Sequence, residues 1–318
     1  MDNLLKQLIP PLSVSGRESE ISDVIETLAK RFGDTSRDAL GNLVVHRPGR
    51  GARIMLAAHM DTVGLTVTHV EEGGFARFAN LGGLWPVSLI GQRVRFENGA
   101  FGLICADRGV EPKDLTLEKL YVDPAGAKLR VGDVAAYCGE PVFQNGMVIS
   151  PYLDNRLGCA VCLRALELLE HCENEIFCVF TVQEEVGVRG AGPAAYEIAP
   201  DLAIAVDICG LQDFPGEARQ NSLKLSAGPV IKLMDARVIC HASVVKRLED
   251  AAARLNLQTQ RYVTKRGGTD AGGIFGTRGG VPSGVLSIPI RYTHGPNEIA
   301  DLSVAEDCAK LLAEAIQE

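Results

Sequence analysis

Apolar residues in this chain form short runs that are followed by polar residues able to bind a metal ion. Three such runs are almost wholly apolar and too short for helices, which is typical of strands buried on both faces of a parallel sheet. These runs are Arg53–Ala58, Ile176–Val182 and Leu202–Val206. The polar residues that follow them are His59 and Asp61, Glu184 and Glu185, and Asp207. Because ligands in open α/β sheets bind just beyond the carboxyl ends of the strands, the pattern predicts an active site here.

Predicted helices alternate with strands over most of the chain. Near the N-terminus, apolar residues recur at helical spacing over residues 17–33. After residue 154 the predicted order is helix 156–170, strand 175–182, helix 190–197, strand 202–206, helix 242–256, strand 259–263, strand 284–289 and helix 303–316. This alternation predicts an α/β fold with a mostly parallel sheet flanked by helices.

The segment from residue 65 to residue 147 has a different pattern. Helical periodicity disappears, and short alternating segments, Val142-Phe143 among them, lie between turn signals such as Asn98-Gly99 and Asn145-Gly146. We interpret 65–147 as a small antiparallel β-barrel inserted into a catalytic domain. That domain is then discontinuous and comprises residues 1–64 and 148–318.

Composition and charge narrow the possible partners. The 318 residues are 46% hydrophobic, and a net charge of −8 argues against a nucleic-acid surface, which needs clustered Lys and Arg. The N-terminus lacks the features of a signal peptide, and no apolar run approaches the ~20 residues of a membrane span. Nine cysteines, most of them in apolar runs, favour free thiols in a reducing compartment. We therefore expect a cytoplasmic protein without nucleic-acid or membrane partners.

Seven residues are candidates for the chemistry, and they share imidazole or carboxylate side chains at different strand ends. They are His59, Asp61, Asp154, Glu184, Glu185, Asp207 and His294. Such ligands without thiolates suit zinc, cobalt or manganese. Three carboxylates and a bound hydroxide balance the charge of two divalent ions, whereas one ion needs fewer acids. The set therefore favours two ions about 3.5–4 Å apart that share a water.

Two of the acidic positions suggest distinct roles. Glu184 and Glu185 are adjacent, so one can bind metal while the other accepts the proton of the water. Asp61 projects to the same side of an extended chain as His59 and could orient its imidazole. Each residue taken alone also has a structural explanation, and Asp154 could simply cap a helix.

Taken in order, these segments resemble one known family over nearly the whole chain. The matching segments are Ala58-His59-Met60-Asp61-Thr62-Val63-Gly64, Asp154-Asn155-Arg156, Gln183–Ala191, Val206-Asp207, Gly268-Thr269-Asp270-Ala271, Gly279-Gly280-Val281-Pro282 and Arg291-Tyr292-Thr293-His294. The family is the glutamyl aminopeptidase, or tetrahedral aminopeptidase, group of two-metal metallopeptidases, some of which carry the label endoglucanase or cellulase. The resemblance implies a phosphorylase/peptidase-like α/β fold.

The resemblance also implies roles for the candidate residues. Asp154 bridges two divalent ions, with zinc or cobalt expected first and manganese as an alternative. His59 and Asp207 complete one site, and Glu185 and His294 complete the other. Glu184 is the general base. Independently of the resemblance, we assign Asp61 as a second catalytic residue because of its position beside His59. The inserted barrel takes part in oligomer contacts, and a dodecamer is the expected assembly. Thr62 stands where an acidic residue is frequent in the family, which leaves fine substrate preference open.

We therefore interpret the chain as a metal-dependent aminopeptidase that removes N-terminal residues from short peptides. The glycine-rich loop Gly267–Gly273 lacks the pattern of a phosphate-binding loop, and we expect it to wall the substrate pocket through Thr269 and Asp270. A glycan hydrolase is the enzymatic alternative, although a glycosidase needs two carboxylates and no metal, which leaves His59 and His294 unexplained. A metallopeptidase of a neighbouring family is disfavoured, because in that family the insert follows the metal-binding acids, whereas here it precedes Asp154. A non-catalytic peptide-binding or assembly protein is the third possibility.

Overall fold

A computed structural model describes residues 1–215 and 222–317. Its α-helices are α1 (Asp2–Leu8), α2 (Ser19–Ala29), α3 (Pro86–Leu89), α4 (Leu153–Leu168), α5 (Ala191–Ile198), α6 (Ala242–Arg254), α7 (Asp270–Ile274) and α8 (Leu302–Ala315). Short 3₁₀ helices span Pro112–Asp114 and Leu117–Lys119. None of the helices in the described part of the chain has both the length and the apolar character that a bilayer span needs.

The strands fall into one large sheet and one barrel. In chain order they are β1 (Asp34–Arg37), β2 (Leu43–Arg47), β3 (Arg53–His59), β4 (Gly64–Val70), β5 (Ala76–Leu81), β6 (Arg93–Phe96), β7 (Phe101–Ala106), β8 (Leu120–Asp123), β9 (Val134–Tyr137), β10 (Val142–Gln144), β11 (Met147–Ser150), β12 (Glu175–Thr181), β13 (Leu202–Gly210), β14 (Val230–Met234), β15 (Gln260–Val263), β16 (Ser283–Arg291) and β17 (Glu298–Asp301).

The large sheet has the strand order β1-β2-β12-β3-β13-β16-β17-β11-β10, and β14 and β15 extend from β16. Its centre is parallel, since β12, β3, β13 and β16 pair in the same direction, while the outer pairings of β2 and β17 are antiparallel. The predicted α/β class is confirmed. The carboxyl ends of β3, β12 and β13 meet at one edge, so the residues that follow them are brought together.

Helices cover both faces of this sheet, which explains why the central strands read as continuous apolar runs. Alternate residues of β3 point to opposite faces. Ile54 and Leu56 join the larger core that includes α4 and α8, whereas Met55 and Ala57 pack in the smaller core that includes α5. All four side chains are fully buried. The parallel centre is therefore a rigid platform for the residues at its edge.

A closed antiparallel barrel, with the order β4-β5-β8-β7-β6-β9, occupies the middle of the chain. Its interior is a separate apolar cluster that includes Val67, Phe96 and Val122. The assignment of Val142-Phe143 to this barrel was wrong, because β10 pairs with β11 and both belong to the large sheet. A short alternating segment fits either sheet, and only the pairing partner decides. The division into domains at 1–64, 65–147 and 148–318 stays a prediction.

The structure also tests the predicted state of the cysteines and the predicted end of one strand. All nine cysteines are free, as predicted from their apolar surroundings. The strand expected at 202–206 continues to Gly210, so Asp207 lies within β13 rather than after it. The longer strand is stabilised by its ladder with β16, in which Asp207 pairs with Ser287 and Gly210 with Ile290.

Candidate metal centre

One group of potential ligands surrounds His59, the last residue of β3. The imidazole is 2% exposed, and its Nε2 lies 3.2 Å from Oδ1 of Asp154 and 3.6 Å from Oδ1 of Asp207. Within this group, one ligand atom from each residue lies within 4.8 Å of the others. Three strongly buried potential ligands, two from strands and one from the segment that leads into the regular part of α4, therefore converge on one point.

A second group shares Asp154 with the first. Nε2 of His294 lies 3.3 Å from Oδ2 of Asp154 and 3.3 Å from Oε2 of Glu185. The two carboxylate oxygens of Asp154 thus face different imidazoles. The imidazoles of His59 and His294 also line the same cavity. This is the arrangement expected of a carboxylate that bridges two ions.

The residues present fit a pair of divalent cations. Oδ1 of Asp154 and Oε1 of Glu185 are buried, and neither has a hydrogen-bond partner among the described residues. Burying carboxylate oxygens without a compensating partner is costly, and a cation at each group removes that cost. The donor set contains only imidazole nitrogen and carboxylate oxygen, which suits zinc, cobalt or manganese.

The backbone at the start of α4 presents Asp154 to both groups. Asp154 and Asn155 have non-helical backbone angles, so regular helix begins only after them. The Asn155 side chain accepts a hydrogen bond from the N–H of Gly158 and donates to the carbonyl of Val206 in β13. Asn155 therefore caps this helix, and the Asp154 carboxylate is left for the site.

Glu298 was not predicted, yet it connects two of the ligands. Its carboxylate is 1% exposed and accepts the backbone N–H of Asp154 at 3.0 Å and that of His294 at 2.7 Å. His294 has φ +62°, a left-handed conformation that costs a non-glycine residue about 1–2 kcal/mol. Burial, reinforced by the nearby Asp154 charge, raises the pKa of Glu298 well above its usual range. Glu298 holds the backbone of both residues in place.

Asp61 connects the end of β3 to the Glu184-Glu185 segment. Its carboxylate is fully buried and accepts hydrogen bonds from the N–H of Glu184 at 2.9 Å, the N–H of Glu185 at 3.2 Å and the Ser15 hydroxyl at 2.6 Å. Nδ1 of His59 lies 3.1 Å from the Asp61 carbonyl oxygen and 3.5 Å from Oδ1. Asp61 thus contacts three residues of the candidate site, and its catalytic role stays a prediction.

Glu184 lines the cavity beside both groups without belonging to either. Burial is the main cause that raises the pKa of its carboxyl well above the usual range. The negative charges of Asp207, Asp270 and Glu185 act in the same direction, whereas His59 opposes them. A carboxyl with a raised pKa next to a reacting water is suited to transfer a proton near neutral pH.

The barrel also contributes to this site through the segment that follows β5. A Cβ atom built on Gly83 would lie 2.9 Å from Nδ1 of His294, and one on Gly82 would lie 3.1 Å from Oε2 of Glu185. Sequence reasoning did not single out this Gly82-Gly83 pair. The two glycines let the backbone approach the ligands closely, so the inserted barrel forms one wall of the centre.

The cavity has a volume of about 510 Å³ and extends from the metal centre over β13, β14 and β15. The predicted glycine-rich loop lines it through Gly267 and Gly268. Thr269 and Asp270 are buried behind this wall: Thr269 donates to Asp235, and Asp270 accepts a hydrogen bond from Thr181. Their predicted contact with substrate stays untested.

A family model and two curated relatives show which proteins this chain is similar to. The family model described as M42 glutamyl aminopeptidase matches residues 41–311. The chain is 45% identical to a putative aminopeptidase of Acetivibrio thermocellus, over 99% of this chain and 98% of that protein. It is 31% identical to a lysyl aminopeptidase of Pyrococcus furiosus, over 99% of this chain and 96% of that protein.

Solved structures with the same fold bear peptidase names, and some bear an endoglucanase name. An aminopeptidase of Desulfurococcus kamchatkensis matches with a TM-score of 0.94 and 36% identity, over 99% of this chain and 94% of that one. The TET1 peptidase of Pyrococcus horikoshii is described as assembling into a tetrahedron or a large octahedral shell. It matches with a TM-score of 0.89 and 30% identity, over 100% of this chain and 99% of that one. A Thermotoga maritima structure named endoglucanase matches with a TM-score of 0.82 and 27% identity, over 98% of this chain and 96% of that one.

Proposed function

This chain belongs to the M42 glutamyl aminopeptidase family, and from that premise we propose that it cleaves the N-terminal residue from short peptides with two divalent ions held by the candidate metal centre. It is an aminopeptidase, a hydrolase that acts on peptide bonds. The observation that carries the two-ion proposal is Asp154, whose two oxygens face two different imidazoles.

Each ion would be held by ligands from the two groups described above. His59 and Asp207 would complete one site, Glu185 and His294 would complete the other, and Asp154 would bridge them. Bound divalent ions supply Lewis acidity, lowering the pKa of a coordinated water and polarising a carbonyl oxygen. Zinc and cobalt are the first candidates and manganese is the alternative, because imidazole and carboxylate ligands serve all three.

Glu184 would handle the protons of the reaction. It would take a proton from the attacking water and later donate it to the amine that leaves, as general base and then general acid. Asp61 supports this role because its carboxylate accepts the N–H of Glu184 and so fixes the backbone from which that side chain extends. The cavity of about 510 Å³ has room for the N-terminal residue of a peptide and a few neighbouring atoms.

We propose a homo-oligomer, with the dodecamer as the first expectation and the barrel among its contacts. The support is the P. horikoshii relative described as assembling into a tetrahedron or a large octahedral shell, together with a TET1 structure described as a dodecamer. We propose a cytoplasmic location and short peptides as partners. The free state of all nine cysteines is in keeping with a reducing compartment.

Metal analysis combined with peptide cleavage tests this function. The purified protein should hold about two divalent ions per chain, and chelation followed by readdition of zinc, cobalt or manganese should abolish and restore release of N-terminal residues. Fewer than two ions per chain without chelator-sensitive turnover would indicate a binding protein that retains the fold. Chelator-insensitive release of sugar from a cellulosic substrate would instead support the glycan hydrolase alternative, since glycosidases act with two carboxylates and no metal.

A further inference from the structure

The charge of the substrate cavity changes between its two ends. Among the residues that the structure describes, the carboxylates that line it lie at the metal centre: Asp154, Glu184, Glu185 and Asp207. The far end is lined by the cationic side chains of Lys232, Arg237 and Arg266 and by the hydroxyl groups of Tyr262 and Thr264. Two bound ions would offset the acids at the first end, so the cavity would present a positive field at the other.

Family membership alone does not decide which N-terminal residue this cavity accepts. The family model is named after a glutamyl aminopeptidase, whereas a relative that matches over 99% of this chain is named a lysyl aminopeptidase. These two side chains have opposite charge. The choice must therefore come from residues that line the pocket, and the charge at its far end is the relevant observation.

Lys232 is the buried cation of the three. It lies in β14, is 5% exposed, and pairs in the sheet with Val285 of β16 and Tyr262 of β15. Arg237 and Arg266 are exposed and lie at the rim. A peptide chain must continue towards solvent after its first residue, so the rim faces the rest of the peptide. The floor at Lys232 is then left for the side chain of the N-terminal residue.

The Lys232 ammonium keeps hydrogen-bonding capacity for a ligand. The nearest described carboxylate oxygen is Oδ2 of Asp235, 3.6 Å from Nζ, which is beyond hydrogen-bond distance. Asp235 is otherwise engaged, because its Oδ1 accepts the N–H groups of Arg237 and Val238. A buried cation with unused donors is stabilised by a carboxylate that reaches it, and charge-assisted hydrogen bonds are the stronger class.

The distance across the sheet suits one acidic residue. Two strand spacings of about 4.8 Å each separate β14 from β13, the strand that carries Asp207. A lysine side chain and a glutamyl side chain together cover that gap when the substrate amine is held at the metal centre. An N-terminal lysine would instead place a second ammonium against Lys232, with both charges removed from water.

We propose that this cavity selects peptides with an acidic N-terminal residue, and that Lys232 is the residue that determines this specificity. The proposal rests on the proposed function, because it assumes that the substrate amine binds at the metal centre. Arg237 and Arg266 add a positive field at the rim, where salt screens it more strongly than at the buried floor.

The test compares kcat/KM for the p-nitroanilides of α-glutamate, aspartate, leucine and lysine with the metal-loaded protein. These substrates carry no terminal carboxylate, so any preference reports the N-terminal side chain. The wild type should prefer glutamate or aspartate over leucine at least about tenfold and disfavour lysine. Lys232→Met should lower the glutamate-to-leucine ratio about 10- to 100-fold, the range expected for losing a hydrogen bond to a charged group.

Ratios measured within one variant are insensitive to a general loss of folded protein. Lys232→Arg keeps the charge and should retain the preference for acidic residues, and Lys310→Met on the exposed surface of α8 should change nothing. A wild-type preference for leucine or lysine would overturn the proposal while leaving the aminopeptidase function intact. The proposal would also be overturned if the preference for acidic N-terminal residues is retained in Lys232→Met but lost in Arg237→Gln.

Two further outcomes separate the proposal from its premise. If Leu-Ala is cleaved far better than Leu-Ala amide and acidic N-terminal residues are not preferred, the cations bind the terminal carboxylate of the substrate and the proposal is wrong. If no aminoacyl derivative is cleaved by protein that holds two ions per chain, the proposed function itself fails.

Discussion

The carboxylate of Asp61 accepts a hydrogen bond 2.9 Å long from the backbone N–H of Glu184. The two residues lie after different strands of the central sheet, and this contact fixes the relative position of the segments that follow those strands. Oδ2 of Asp61 accepts the next N–H, that of Glu185. A single buried carboxylate therefore positions both the proposed base and a proposed metal ligand.

Asp61→Asn should lower kcat substantially while the protein stays folded. An amide offers one acceptor oxygen and one NH₂ group, so one of the two backbone N–H groups would face a donor. Displacement of a catalytic group by about 1 Å can cost on the order of 10²-fold, and we expect a loss of about 10- to 100-fold. Steady-state kinetics and the metal content check this, with Asp250→Asn on the exposed side of α6 as the control. Unchanged kcat would contradict the positioning role.

Glu184→Gln should remove the proposed proton transfer and leave the ions bound. The side chain keeps its size and belongs to neither ligand group. Loss of a general base costs about 10²–10⁴-fold in rate, so kcat should fall by that factor with two ions per chain still present. Near-normal turnover would remove Glu184 from this role. Glu197→Gln, in α5 and outside the cavity lining of the metal centre, is a matched control.

The sequence was informative wherever an ionisable residue followed a strongly apolar run. His59, Glu184 and Glu185 could be placed at one sheet edge because parallel strands end together. Asp154 and His294 follow no such run directly. They could be included as further carboxylate and imidazole side chains, but the resemblance to a family was needed to give each of them a role. The barrel was predicted from turn signals, but the pairing of β10 was not, because three residues carry no information on their partner strand.

The supporting residues were missed for a physical reason. Glu298 acts through the backbone N–H groups of Asp154 and His294, and acceptance of a backbone hydrogen bond leaves no pattern in the sequence of the donor. Arg156 was noticed only as part of a motif. Its buried guanidinium donates to the carbonyls of Met60 and Pro11, and burial lowers its pKa to about 10. Contacts of this kind depend on tertiary structure alone.

Glu298→Ala should weaken the group formed by Asp154, Glu185 and His294 more than the other group. Its loss leaves two buried N–H donors unsatisfied, at about 1–3 kcal/mol each, and removes the support for the left-handed backbone of His294. We expect the protein to be less stable to urea and to bind one of two cobalt ions at least tenfold more weakly. Glu298→Gln retains an acceptor oxygen, so its stability to urea and its affinity for cobalt should lie between those of Glu298→Ala and those of the wild type. Equal weakening of both cobalt ions would contradict a local effect.

Asp270 predicts a pH dependence for the stability of the metal-free protein. Burial raises the pKa of its carboxyl to about 7, with Asp207 and Asp61 adding to the effect, whereas the unfolded chain has a value near 3.9. Between these values the folded protein binds the extra proton, so the free energy of unfolding falls as pH rises. Asp270 can account for no more than about 4 kcal/mol of that fall.

Asp270→Asn should therefore reduce the fall in the free energy of unfolding as pH rises. Urea unfolding of protein freed of metal by a chelator, at pH 5 and at pH 7.5, measures this fall. The variant should lose less stability than the wild type between the two pH values. The same variant, loaded with metal, tests the predicted substrate contact. An unchanged KM across the aminoacyl derivatives would exclude Asp270 from substrate binding, and a parallel decline in wild type and variant would exclude it from the pH effect.

Gly83→Ala should displace His294 from the metal centre. The new Cβ would lie 2.9 Å from Nδ1 of the imidazole, a separation at which one of the two groups must move. Since the glycine belongs to the segment after β5, the displacement would show that the barrel shapes the active site. A shift approaching 1 Å can cost on the order of 10²-fold in rate, so we expect a strong fall in kcat with weaker binding of the ion held by His294.

Gly276→Ala provides the matched control, because a Cβ built there meets no heavy atom within 4 Å and the residue has no positive φ. Both variants add the same methyl group to a loop glycine, so a difference between them reports the contact with His294. Cobalt titration followed by absorbance separates binding of the two ions from turnover. If Gly83→Ala binds both ions and cleaves peptides as the control does, the wall formed by the barrel has no influence on the centre.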